Sequence, residues 1–345
     1  MRTYLWKKYR IKNSGENLSI LNQRTSFWKP FILILPSLLT ILLFTLIPFI
    51  IVVIQSIKIE NQFSKDDFTI GLDNFGNLFK QPKFITGIRN SLVYSLTALP
   101  LSLLISILIS AAITQVVKKW AQGFWQTVFF LPYITSAVAV SLSFFYLFKR
   151  DGGIVNNILQ ALKLIKRPIP FLESGEISGW LAFSVILIRG IWGNLAFQVL
   201  ILTTAMLSVN PQLYKAAAID GSQKSQQFFK ITLPSIKRTI SFLITMGLIG
   251  GIKVMPLALF NNNAGDAVNN GGSSLMLYIY NAITEGKLAI AGAASVVLFI
   301  IGIAYSFTLR KLVTFIYKLI VRSDNNNVVN KIKNQAILTK AIFKV

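Results

Sequence analysis

Two cations stand inside otherwise apolar stretches of this chain: Arg189 within Trp180–Leu207 and Lys253 within Thr239–Leu257. A charge in such a setting is costly to desolvate, so it faces a bundle interior, borders a water-filled path or snorkels to an interface. If both point inward, they favour an anionic or phosphorylated solute, because both groups bind such anions through charge-assisted hydrogen bonds. Gly190, Asn194 and Phe197 share one helical face beside Arg189, at spacings of four and three. Gly250, Gly251 and Val254 hold the comparable part of the next apolar stretch, where glycines equally serve close helix contact.

Other chemistry is excluded by composition. The chain has no histidine and no cysteine, so zinc sites, disulfides, thiol nucleophiles and imidazole acid–base steps have no residues to use. All 12 acids lie outside the apolar stretches, which removes an intramembrane carboxylate pair. No Gly-rich phosphate loop ending in Lys-Ser or Lys-Thr occurs, so the chain cannot itself hydrolyse a nucleotide. No catalytic residue and no bound metal or cofactor is expected.

The elements that position these residues are membrane spans. Hydrophobic residues make up 53% of 345, charged residues only 14%, and the mean hydropathy is +0.60. A soluble domain carries about 25% charged residues. Six stretches are long enough for a hydrocarbon core: Phe31–Ile57, Leu92–Val116, Phe124–Phe148, Trp180–Leu207, Thr239–Leu257 and Ala289–Leu309. Prolines 36, 48, 100 and 132 within them are tolerable where neighbours re-satisfy the backbone. Segments 1–30, 117–123, 208–238 and 310–345 hold 22 Lys and Arg against three acids; the alternate loops 58–91, 149–179 and 258–288 hold 11 against nine. This asymmetry predicts six spans with both termini in the cytoplasm. The net charge of +23 is therefore a signature of topology, and no nucleic-acid partner is expected. The first span, after a polar basic segment and without a small-residue exit, reads as an uncleaved anchor.

The division that follows is a basic N-terminal segment 1–30, a transmembrane domain 31–312, and a basic tail 313–345, expected to be partly disordered. In loop 149–179, Gly152-Gly153 precedes Ile154, Val155, Ile158, Leu159, Leu162 and Ile165, the spacing of a short amphipathic helix. It is expected on the outer membrane surface or against other spans. Loop 258–288, rich in Asn and Gly, reads as irregular, re-entrant where it meets Leu275–Tyr280.

Loop 208–238 is more than a connector. Asn210 and Pro211 are suited to cap and open a helix, and Leu213–Ile219 are good helix formers. Asp220-Gly221 supplies a turn, Ser222 is placed to cap a second helix running to Ile231, and Leu233-Pro234 is placed to stop it. The small residues Ala216–Ala218 would let another surface approach closely. This string resembles the conserved loop of bacterial ABC-importer permeases, a Glu-Ala-Ala, three residues, Gly core. Here the core reads Lys215-Ala216-Ala217-Ala218-Ile219-Asp220-Gly221, with Phe229, Ile231, Leu233 and Pro234 following. Gly71-Leu72-Asp73-Asn74-Phe75, Phe129-Phe130-Leu131-Pro132-Tyr133, Gly152-Gly153-Ile154-Val155-Asn156 and Leu277-Tyr278-Ile279-Tyr280 resemble the carbohydrate-uptake branch. The resemblance covers roughly residues 30–312. Lys215 departs from it, standing where the family has a glutamate that helps order the loop, and Ser222 stands where it has an alanine.

The resemblance implies an all-α type I importer fold in the cytoplasmic membrane. It implies a permease subunit moving a sugar or glycerol-3-phosphate-type solute by alternating access. Leu213, Lys215, Ala216, Ala217, Asp220, Gly221, Phe229, Leu233 and Pro234 would couple it to the ATPase. Arg189, Gly190, Asn194, Phe197, Gly250, Gly251, Lys253 and Val254 would border the solute path. The implied partners are two ATPase subunits or domains carrying ATP-Mg, a second permease, in the heterodimeric arrangement usual for this branch, and an extracytoplasmic solute-binding protein. The competing reading is an ion-gradient-driven secondary transporter, which would leave loop 208–238 without a purpose.

Overall fold

The computed structural model describes residues 28–61, 64–116, 118–308 and 311. The basic segment 1–27, most of the tail and the end of the expected sixth span lie outside the described residues. Chain contacts divide the molecule into units of residues 1–51 and 52–345.

In the first unit, α1 (Trp28–Ile41) leads through a π turn at Leu42–Leu46 into α2 (Ile47–Ile57). The π turn ends two residues before Pro48, whose missing N–H cannot close the normal bond to residue 44. The apolar run Pro30–Ile57 is long enough to cross a membrane.

The second unit begins within α2. Ser56 there is buried, and the Asn74 amide donates to the carbonyls of Ser56 at 3.0 Å and Lys58 at 2.7 Å. A two-stranded antiparallel hairpin follows, β1 (Lys58–Asn61) with β2 (Ser64–Ile70), in register Lys58 to Ile70 and Glu60 to Phe68. It is a small departure from the all-helical expectation, supported by Lys58 lying 4.5 Å from the Phe68 ring. Then come α3 (Asp73–Phe79), α4 (Pro82–Thr114), α5 (Lys119–Ile134), α6 (Ala137–Phe148), α7 (Ile154–Ala161) and α8 (Leu181–Leu207). Loop 208–238 and its continuation give α9 (Pro211–Ile219), α10 (Lys224–Gln227), a π turn at Phe228–Thr232, α11 (Leu233–Ser235) and α12 (Lys237–Ile252). A 3-10 turn at Leu257–Phe260, α13 (Ala264–Asn269), α14 (Leu275–Thr284) and α15 (Leu288–Thr308) complete the described chain.

Among the described residues, four helical runs are long and apolar enough to span a membrane, and two bent pairs bring the number to as many as six. The expected third span, Phe124–Phe148, is broken: α5 and α6 meet at 90° across Thr135 and Ser136. Pro132 cannot donate to the carbonyl of residue 128, and the chain turns two residues later. The expected second span begins ten residues earlier than Leu92, because Pro82 opens α4 at its first position. The expected fifth span ends at Ile252 instead of Leu257. Pro256 restricts Met255 to non-helical backbone, and Lys253 becomes the C-cap.

Loop 258–288 is a folded part of the core rather than an irregular segment. Leu259, Phe260, Ala264, Ala267, Val268 and Leu277 are buried in one cluster with Tyr94 and Val185. Leu275, Tyr278 and Ile279 pack in another with Phe84 and Ala293. Two side chains anchor this loop to α4: Asn90 donates to the carbonyls of Gly271 at 2.9 Å and Ser273 at 2.8 Å, and Ser91 accepts from the Leu275 N–H at 2.9 Å. The Arg89 guanidinium donates to the Ser178 carbonyl at 2.9 Å and stacks 4.1 Å from Trp180.

Helices α4 and α8 are joined by a buried polar ladder. Gln198 donates to Ser102 Oγ at 3.2 Å and accepts from Ser106 Oγ at 3.0 Å, while Ser110 Oγ donates to the Val199 carbonyl at 3.2 Å. These side chains are almost wholly buried, so the bonds satisfy polar groups that solvent reaches poorly.

Candidate functional site

Two regions carry the expected site residues, and the structure builds them differently.

The first is loop 208–238. Asn210 caps α9, its side chain accepting from the Gln212 N–H at 3.0 Å, and Pro211 takes the first turn. At the other end Gly221 has φ +74°, and two bonds close the helix: Gly221 N–H to the Ala218 carbonyl at 3.1 Å and Ser222 N–H to the Ala217 carbonyl at 2.9 Å. This is a Schellman closure, which needs a left-handed residue where Gly stands. The second cap differs from expectation. Gln223, and not Ser222, caps α10, through a reciprocal box with Gln226. Ser222 is occupied by the closure of α9 through its N–H. Leu233-Pro234 does not stop the helical run either: α11 includes both residues, and the break falls at Ile236, with a bend of 63° between the helices on either side. Pro234 follows the π turn Phe228–Thr232, where the ordinary helical bonding is already interrupted, and so its missing N–H is accommodated within the run.

No residue of α9 is buried. Lys215, Ala216, Asp220, Gly221 and Pro234 are exposed, and Ala217 and Leu233 are half-buried. Leu213, Ile219 and Phe229 present apolar side chains at 48%, 87% and 65% exposure. The Tyr214 hydroxyl meets Thr232 Oγ1 at 2.8 Å, fastening α9 to the segment leading into α12.

The second region is a half-open cavity of about 340 Å³ between α4, α5, α8 and α12, a volume within the range of small-ligand sites. From α4 come Tyr94, Ser95 and Leu99; from α5, Tyr133. Helix α8 contributes Gly193, Asn194, Phe197 and Gln198. Leu243, Met246, Gly247, Gly250 and Gly251 of α12 and the following Val254 close it. The Tyr133 and Phe197 rings stack at 5.6 Å between centroids. The wall has aromatic, amide and hydroxyl groups and no formal charge.

Five of the eight path residues expected from sequence line this cavity: Asn194, Phe197, Gly250, Gly251 and Val254. Gly190 lies behind it, against Tyr94, where a Cβ would come 2.1 Å from the hydroxyl oxygen. Gly251 likewise receives Ser95, and Gly247 receives Leu99, whereas Gly250 opens onto space. Arg189 is outside the lining; its Nη2 donates to the Ala137 carbonyl at 3.2 Å, at the start of α6 beyond the break. Lys253 is also outside the lining, exposed at the end of α12. Sequence reasoning missed Tyr94, Ser95, Leu99, Tyr133, Gly193 and Gln198, and with them Leu243, Met246 and Gly247 of α12. Gln198 was accessible to it, one turn beyond Asn194, and Tyr133 closes the Phe129–Tyr133 motif. Nothing local in α4 marks Tyr94.

The family model for the inner membrane component of binding-protein-dependent transport systems matches residues 102–323, a range that includes loop 208–238 and most of the cavity wall. The chain is 48% identical over 304 residues to the probable ABC transporter permease protein MG188 homolog of Mycoplasma pneumoniae, covering 88% of this chain and 91% of the relative. It is 26% identical over 283 residues to the sn-glycerol-3-phosphate transport system permease protein UgpA of Pectobacterium atrosepticum, covering 80% and 90%. Among solved structures, it resembles a chain of a bacterial alginate ABC transporter in complex with an alginate pentasaccharide-bound periplasmic protein. The TM-score there is 0.66 and the identity 25%, over 81% of this chain and 92% of that one. A family match over more than half the chain, relatives aligned along most of their length and a shared fold agree: this protein belongs to the binding-protein-dependent transport system inner membrane components, the multi-pass permease subunits of ABC transporters.

Proposed function

We propose that the chain is the membrane-spanning subunit of an ATP-driven sugar importer. The observation that carries this reading is α9: a helix capped at both ends, with no buried residue, strapped through Tyr214 to the lead-in of α12 and joined to α8 by the short turn 208–210. Such a helix has little reason to be so ordered unless another protein covers it. In this reading an ATPase pair closes on ATP-Mg, α9 moves with it through Leu213, Lys215, Ala216, Ala217, Asp220, Gly221 and Phe229, and the helices on either side tilt. Leu233 and Pro234 carry the motion into α12. Lys215 reverses the family's charge, so the ATPase groove presents an acid to it.

The charge asymmetry supports six spans, counting α5–α6 as one and taking α12 as the fifth, with both termini and loop 208–238 in the cytoplasm. Residues 31–312 form the transport domain between basic segments 1–30 and 313–345. A second permease completes the translocation path, and an extracytoplasmic binding protein supplies the solute, as the periplasmic protein does in the alginate complex.

The cavity favours a neutral polyhydroxylated solute. Tyr133 and Phe197 offer faces for sugar rings, Asn194 offers amide hydrogen bonds, and no cation reaches the wall. A glycerol phosphate would leave its charge unmatched there. No observation favours a gradient-driven carrier.

The test is purification from membranes in mild detergent, followed by hydrolysis and uptake assays. Co-purification of an ATPase and a second permease with vanadate-sensitive hydrolysis is expected. A lone chain, under conditions that preserve a known importer, would overturn the assignment. Uptake of a phosphorylated solute in preference to a neutral sugar would overturn the solute class alone.

A further inference from the structure

Helix α7 has one wall fixed to the protein and one wall bare. On the fixed side Asn156, only 1% exposed, donates to the carbonyls of Lys149, Arg150 and Ile169 and accepts from the Ile169 N–H at 2.9 Å. Val155 packs on the cluster containing Phe148 and Leu172. The bare side carries Ile154, Ile158 and Leu162 at helical spacing, with Leu164 beyond, each more than half exposed. Exposed cations follow this row, Lys163, Lys166 and Arg167, with no acid among 163–167; before it Arg150 is exposed beside an exposed Asp151. Lys163 itself adopts φ +57°, where glycine is the common occupant, and the closure it makes with Gln160 fixes the direction of the chain beyond.

Charge asymmetry puts loop 149–179 on the face that is poor in net positive charge, so this basic cluster is not a product of topology. Tyr146 and Trp180, at 64% and 53% exposure, end the helices on either side of the loop. Aromatic residues at helix ends mark the headgroup level. A short apolar row rimmed by Lys and Arg at that level is the composition of a helix lying in the membrane surface. Protein-binding surfaces use more Tyr, Trp and Met than this purely branched-aliphatic row.

We propose that α7 is a membrane-surface anchor. Its Ile154, Ile158 and Leu162 row enters the outer leaflet at the acyl boundary, and Arg150, Lys163, Lys166 and Arg167 hold anionic lipid phosphates. The inference rests on the topology proposed above. Because Asn156 locks the helix to the α6 end, the lipid surface becomes a fixed reference for the broken α5–α6 span.

The chain has no cysteine, so an introduced thiol is the single one it carries, and the labelled wild-type assembly supplies the background from its accompanying subunits. Ile158→Cys, with Glu173→Cys as a reference in the same loop, is labelled with an environment-sensitive fluorophore. The full chain, purified with its accompanying subunits, is placed in nanodiscs of phosphatidylcholine, with or without phosphatidylglycerol, and nitroxide-bearing lipid is added. The expected result is a blue-shifted probe at 158, quenched several-fold more than the probe at 173. The phosphatidylglycerol-dependent part of the quenching should fall about two-fold or more in the Lys166→Glu, Arg167→Glu variant, which removes surface charge attraction. A water-exposed spectrum at 158 overturns the proposal, also where shielding appears only on adding a solute-binding protein, which would assign the row to that protein. An impermeant maleimide on intact cells checks the topology separately. Labelling of Glu173→Cys only after permeabilisation overturns the outer-leaflet placement, whatever the lipid probe reads.

Discussion

Tyr214 and Thr232 meet across 18 residues of chain, hydroxyl to hydroxyl at 2.8 Å, and make loop 208–238 a closed strut. Removing one partner of such a bond costs about 1 kcal/mol. Tyr214→Phe is therefore expected to leave membrane insertion intact and to lower transport per ATP hydrolysed by up to roughly five-fold. If the bond is the cause, adding Thr232→Val to Tyr214→Phe makes matters no worse. Fully additive losses in uptake would show that the two hydroxyls act independently.

Gly221 tests docking separately from folding. Its φ of +74° is strained for most residues, but nothing lies within 4 Å of the place where a Cβ would stand. Asn and Asp tolerate this backbone best after Gly. Gly221→Asn should keep most uptake, while Gly221→Asp inserts and assembles but uncouples hydrolysis from transport. Unchanged uptake by the Asp variant would remove the basis for α9 as a docking helix.

Three glycines near the cavity separate packing from lining. An added methyl at Gly190 would collide with the Tyr94 hydroxyl and one at Gly247 with Leu99, whereas Gly250 faces open space. Gly190→Ala and Gly247→Ala should each destabilise by about 1–3 kcal/mol, seen as lower melting temperatures in detergent. Gly250→Ala should melt normally and alter solute uptake alone. A melting temperature lowered equally in all three would contradict the cavity's shape.

Arg189 holds the Ala137 carbonyl and lies outside the cavity lining. Arg189→Ala should therefore lower uptake of neutral and anionic solutes by similar factors, through a loosened joint between α5 and α6. Phe197→Ala, which removes the ring stacked on Tyr133, should raise the apparent KM for a neutral sugar several-fold. A selective loss of anionic solute in the Arg189 variant would return the guanidinium to the solute path.

The loop after α14 has a pH signature. The Lys287 Nζ, 2.7 Å from the Glu285 carboxylate, holds that carboxyl below the usual range; partial burial opposes the shift and the Asn281 amide adds to it. The pair's contribution is thus complete above the unfolded carboxylate pKa of about 4.3 and is lost as pH falls through the lower folded value. Both side chains are substantially exposed, at 60% and 42%, so the effect is small. Wild type and Lys287→Met should differ slightly in thermal stability above about pH 5 and converge as the pH falls below the folded carboxylate's lowered value. A gap that persists at low pH would point to packing by the lysine stem.

Short-range signals were the ones the sequence displayed well. Asn210-Pro211 and Gly221 marked both ends of α9 because a cap and a positive φ each depend on one residue type. The Gln223 cap escaped notice because Gln is a poor single capper and works here only with Gln226. Hydropathy found the apolar runs and blurred their ends. Val254 and Leu257 prolong the run past Lys253, yet Pro256 ends the helix, and Pro132 foretold a break that composition alone smoothed over. Loop 258–288 looked irregular because its Asn and Gly residues suggest exposure, while its burial depends on Asn90 and Ser91 far away in α4. The cavity followed the same rule: Asn194 and Phe197 were visible from helical spacing on one element, but Tyr94 belongs to it only through tertiary packing.

The serine ladder between α4 and α8 has a mechanical consequence. Ser102, Ser106 and Ser110 grip Gln198 and the Val199 carbonyl along about two helical turns, almost wholly buried. Sliding either helix past the other would strand several buried polar groups at once. The pair is a girder. Flexure is left to the elbows, at Thr135–Ser136 and at Ile236, which stand on opposite sides of α8 in the chain order and bear the two bent spans.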